Sequence, residues 1–135
     1  MCIRDRDEAL LDCACPTTVT GVEWMEQFYN KLSADDKKKV VRKMYRFGGG
    51  ERRQSEANVT FPCNMAGRNI MLTAEVLQTS FPLLVGNNAM KGAGAVLFID
   101  EGKARILGNE IPMRETESGH FSIKITAPVL SLIHI

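Results

Sequence analysis

The chain has 135 residues, 17 lysines and arginines against 16 acids, and 44% apolar side chains. That length supports one domain with a modest core, and a net charge of +1 offers no basic surplus for nucleic acid or an anionic membrane. No apolar run approaches the roughly 18 residues of a membrane-spanning helix.

The two ends call for separate treatment. The chain opens MCIRDR and closes LSLIHI. One coding of the close, CTG TCT CTT ATA CAC ATC, has a reverse complement containing ATG TGT ATA AGA GAC AG, which reads Met-Cys-Ile-Arg-Asp and then Arg or Ser. One DNA sequence read on opposite strands therefore accounts for both ends, and it is similar to the end sequence used in transposase-made sequencing libraries. Residues 1–6 (Arg6 partly) and 130–135 are expected to be adapter read-through, and residues 7–129 an internal fragment holding a single domain. Setting aside Arg4, Arg6 and Asp5 takes 17 basic and 16 acidic residues to 15 of each. Cys2 and His134 go too, leaving Cys13, Cys15, Cys63 and His120. An odd cysteine count without a secretory signal makes no disulfide framework and points to a reducing, intracellular setting.

In chain order, EALLD at 8–12 reads as a short strand, and Pro16 interrupts the turn-like segment after it. Thr20 and Glu23 have capping-box spacing. Behind them Trp24, Phe28 and Leu32 recur every four residues, with Met25 and Tyr29 alongside, which predicts a helix over 21–32. Ser33 followed by Asp35 and Asp36 repeats the start signal, predicting a second helix over 34–43 with Lys37 to Lys39 on its solvated face. From Met44 the pattern turns to strands. MYRF runs into Gly48, Gly49 and Gly50, a flexible hairpin tip, and 57–63 and 68–78 form a second hairpin turning at Ala66-Gly67. FPLLV, a short helix at 88–92, a hairpin about Glu101-Gly102, and strands at 109–113 and 120–125 complete a mainly β chain.

An ionised carboxylate ending a buried strand is costly unless paired or put to use. Taken alone, Asp12 fits an ordinary turn. The order of three features is more specific: the strand ending on Asp12, the Gly-rich hairpin, and the apolar strand running into Gly86. There the chain resembles the retropepsin family, the aspartic proteases of retroviruses and retroelements. EALLDCACPTTV falls where those enzymes have a strand followed by Asp-Thr/Ser-Gly-Ala, and PLLVGNNAMKGAGAVLFID where they have a second apolar strand, Gly-x-Asn, a helix and a returning strand. YRFGGG and Ser118-Gly119-His120-Phe121 are similar to motifs in the protease domains of Gag-Pol-like retrotransposon polyproteins. The resemblance spans about residues 8–126.

The resemblance implies a retropepsin-like closed β-barrel or sandwich subunit, with a short helical insertion between the active-site loop and the flap. Asp12 is then catalytic, Cys13, Ala14 and Cys15 complete its loop, and Phe47, Gly48, Gly49 and Gly50 form the flap. Leu84, Val85 and Gly86 brace the loop from below, with Asn88 a buried hydrogen-bonding anchor. Two carboxylates about 3 Å apart share one proton, so one can activate water while the other protonates the carbonyl. A single motif therefore implies a homodimer acting on an extended peptide or polyprotein. No metal or other cofactor, direct nucleic-acid contact or membrane is implied, and the setting is cytoplasmic, within retroelement particles or polyprotein.

Three departures stand out. Cys13 replaces a hydroxyl residue, Ala14 replaces glycine, and the family's N-terminal strand precedes anything in this sequence. They keep open a second reading, a decayed retropepsin-fold module for dimerisation or binding. A Cys3His metal site from Cys13, Cys15, Cys63 and His120 is disfavoured because Cys-x-Cys is not the usual ligand spacing. Inert thiols and a surface or satisfied histidine are the simpler expectation.

Overall fold

The computed structural model describes residues 7–44 and 55–129. Strand β1 (Glu8–Leu11) leads through a loop to β2 (Val19–Gly21), then to helices α1 (Val22–Asn30) and α2 (Ala34–Lys37). Strands β3 (Val41–Met44), β4 (Ser55–Met65), β5 (Arg68–Leu77) and β6 (Leu83–Val85) follow, then helix α3 (Asn87–Gly92). The chain continues through β7 (Val96–Phe98), a 3-10 turn (Ile99–Glu101), β8 (Lys103–Ile106), β9 (Asn109–Pro112), β10 (Arg114–Glu115) and β11 (Phe121–Thr126).

One sheet runs β10-β11-β1-β6-β2-β5-β4-β3. It also closes on itself, because Ile125 and Thr126 of β11 pair with Met65 and Asn64 of β4. The closed part is a barrel of six strands, and β7, β8 and β9 form a separate three-stranded sheet. Closure removes exposed edges from the barrel. The place beside β1 is taken by β11, antiparallel, from Glu8 opposite Lys124 to Leu11 opposite Phe121.

Alternation along the strands sends Ala9, Leu11, Val59, Phe61, Cys63, Leu83, Val85, Ile123 and Ile125 into one core. The helical insertion docks on that core through aromatic rings. Trp24 and Phe28 stack at 4.9 Å, and Phe61 of β4 meets Phe28 edge-on at 5.4 Å. Trp24, Met25, Phe28 and Leu32 are buried as their spacing predicts, whereas Tyr29 is exposed.

Two expectations need correction. Thr20 does not cap α1: it lies buried in β2, and the capping position is Gly21, with no side-chain cap. A side chain at 21 is sterically barred, since a Cβ there would stand 2.3 Å from the Thr79 carbonyl oxygen and 2.6 Å from the Phe81 nitrogen. The second helix starts as predicted, with Ser33 Oγ accepting from the Asp36 N–H at 3.1 Å, but stops at Lys37. Residues Val41–Met44 instead pair with β4, Val41 opposite Thr60 through Met44 opposite Ala57. Sheet pairing there outweighs local helix preference.

Candidate active site

Strand β6 lies between the two strands that flank the Asp12 loop. It runs parallel to β1, with Leu10 opposite Leu84 and Leu11 opposite Val85, and antiparallel to β2 through Val19 and Leu84. Residues 12–18 therefore follow the chain just beyond β6 and are strapped to it by main-chain bonds. The Asp12 N–H donates to the Val85 carbonyl at 3.0 Å, that of Asn87 to Cys15 at 2.7 Å, and that of Asn88 to Pro16 at 3.0 Å.

Gly86 makes this approach possible. A Cβ at 86 would lie 2.4 Å from both the carbonyl carbon and oxygen of Thr17, and 2.9 Å from the Cys15 oxygen. Its own N–H donates to Thr18 Oγ1 at 3.1 Å in a buried setting. Thr18 was not singled out in the sequence. A threonine in a loop carries no periodic signal, and its value here comes from a residue 68 positions away.

Asp12 is half-exposed. Its Oδ1 accepts from the Ala14 N–H at 3.1 Å and its carbonyl from the Cys15 N–H at 3.2 Å, a local turn that fixes the carboxylate. None of the described ion pairs involves it. Ala14 is exposed and is not among the described residues with positive φ, so alanine in place of glycine brings no backbone strain here. Cys13 is exposed, whereas the Cys15 thiol donates to the Thr17 carbonyl at 3.0 Å.

Leu84 and Val85 sit where they can brace the loop. Asn88 differs from expectation. Its side chain is exposed, and its anchoring contact is the main-chain bond to Pro16. The expected flap residues Phe47, Gly48, Gly49 and Gly50 lie outside the described residues. Cys63 is buried in β4, where desolvation pushes its thiol up to about 12. It does not join Cys13, Cys15 and His120 in a ligand cluster; among the described residues no such cluster occurs. His120 lies on the surface in the turn before β11.

No protein-family profile and no curated protein matches the sequence. Among solved structures, the retroviral protease-like domain of Ddi1 from Leishmania major is similar to this chain. Its TM-score is 0.51, with 77% of each chain covered at 14% identity. The fold is retropepsin-like. In this retropepsin-like fold, the Asp12 loop and β6 form a unit held by main-chain bonds and one close-packed glycine. Among the described residues, no helix is long and apolar enough to cross a membrane.

Proposed function

We propose that this chain is a subunit of an aspartic endopeptidase that processes a retroelement polyprotein. Two copies would meet so that the Asp12 carboxylates form one proton-sharing pair at a two-fold axis. That pair would activate water on an extended peptide, with the segment at 47–50 as the covering flap. The observation that carries this reading is Asp12 itself: a half-exposed carboxylate, free of any described ion pair, on a loop strapped to β6. Such a group is held in place by the Ala14 N–H and, among the described residues, no ion pair occupies it, so it remains available to a water molecule.

The test is cleavage of the precursor polyprotein by the chain and by Asp12→Asn, at about pH 5 to 6. Dimerisation is followed in parallel by sedimentation. Cleavage reduced at least about a thousandfold in the variant, with folding and dimer retained, establishes the reading. A folded dimer that cleaves nothing but still binds polyprotein points to the decayed binding module instead.

A further inference from the structure

The Ser118-Gly119-His120 turn has no part in the chemistry above, yet strand register carries it to the site. The β1–β11 ladder ends with Leu11 opposite Phe121. The residue that follows β1 is Asp12, and the residue that precedes β11 is His120. Their main chains turn away from one another. The Asp12 N–H is spent on Val85, while the His120 N–H donates to Thr116 Oγ1 at 3.1 Å and its carbonyl accepts from the Thr116 N–H at 2.7 Å. One further step of the same register, past the end of the ladder, would set Asp12 across from His120 as a non-hydrogen-bonded position.

Alternation then decides the face. Glu8 and Leu10 share one side of β1, and Lys124 and Ser122 the matching side of β11; continuing the alternation one step assigns Asp12 and His120 to the same side. The Ser122 hydroxyl, 3.3 Å from Glu8 Oε1, shows that these two sets do face together. The imidazole is also held in place. Its Nδ1 is 3.0 Å from Ser118 Oγ, which in turn is 3.1 Å from Thr116 Oγ1. Where Ser118 donates to Nδ1, and likewise in the imidazolium, Nε2 carries a proton. The exposed ring thus offers a fixed donor at the edge of the Asp12 site.

We infer that His120 is a specificity-determining residue of the Asp12 site, recognising an acidic side chain of the substrate within a few positions of the scissile bond. The inference rests on the protease reading above. Its test is a proteome-derived peptide library cleaved by the unaltered chain, His120→Leu, His120→Gln and Ser118→Ala, each checked for unchanged thermal unfolding. The unaltered chain should enrich Asp and Glu at one flanking position. His120→Leu should lose that enrichment by about tenfold, as expected for one charge-assisted hydrogen bond. His120→Gln, which keeps a donor, should lose less, and Ser118→Ala should broaden the preference. Asp12-dependent cleavage with an unchanged profile in His120→Leu overturns this inference alone. A chain that cleaves no peptide removes the protease reading and this inference with it.

Discussion

The two ends of β1 hold their carboxylates in opposite ways. At the start, Asp7 pairs with Lys31 of the segment after α1 at 2.7 Å. Glu8 is gripped at both oxygens by Arg114, with Nε 2.8 Å from Oε2 and Nη2 on Oε1. Ser122 adds a contact to the same Glu8 oxygen at 3.3 Å. At the other end, just past Leu11, Asp12 has no described cation partner and receives only main-chain bonds. A guanidinium beside a carboxylate stabilises its charged form and fills its lone pairs. The molecule uses that device to fasten the start of the strand, and none of the described ion pairs repeats it at Asp12. Charge anchors one end and packing the other.

The largest effect is expected from crowding the packed end. Gly86→Ala must push a methyl into the Thr17 main chain, which cannot yield like a flexible side chain. A loss of about 3 kcal/mol or more in urea unfolding is expected, the upper range of overpacking, together with loss of any Asp12-dependent cleavage. Gly92→Ala is the control. Nothing lies within 4 Å of a Cβ there, so stability should change by less than about 1 kcal/mol. Equal effects at the two glycines would mean that close packing at 86 does not hold the site.

Thr18→Val comes next. It keeps the shape but leaves the buried Gly86 N–H without its acceptor, an orphan costing about 1–3 kcal/mol. Thr18→Ser, which keeps the hydroxyl, should recover most of that in the same unfolding assay.

These two residues also mark how far the sequence could be read. Asp12 at a strand end, the four-residue period of Trp24, Phe28 and Leu32, and the hairpin at Ala66-Gly67 are local patterns, and each reappears in the fold. What escaped is long-range. Strand β2 has three residues and no alternation to reveal it, because it is sandwiched between β5 and β6. Thr18 matters only through Gly86, and Val41 extends the sheet only because Thr60 lies beside it. The closing pairs of β11 with β1 and β4 join positions more than 50 residues apart. Asn88 is exposed rather than the buried anchor expected, and the atom that meets the loop is its main-chain nitrogen, which any residue except proline would supply.

The smallest effect belongs to the charged end, and it depends on pH. Hydrogen bonding to Arg114, the largest cause, holds the Glu8 carboxyl below its ordinary value of 4.5, against the opposing effect of desolvation. A group whose value is lowered by folding adds stability that is full above its unfolded value and lost as pH falls through the folded one. Glu8→Gln should therefore cost about 1 kcal/mol or less at neutral pH, Arg114 being half-exposed. The gap from the unaltered chain should begin to narrow as pH drops below about 4.5. Raising the salt concentration should shrink it as well. A gap that stays constant from pH 7 to 3 in urea unfolding would show that the Arg114 grip does not fasten β1. At about pH 5 to 6, the range chosen for the cleavage assay, the grip remains charged. The strand that presents Asp12 is thus still anchored where the proposed chemistry would operate.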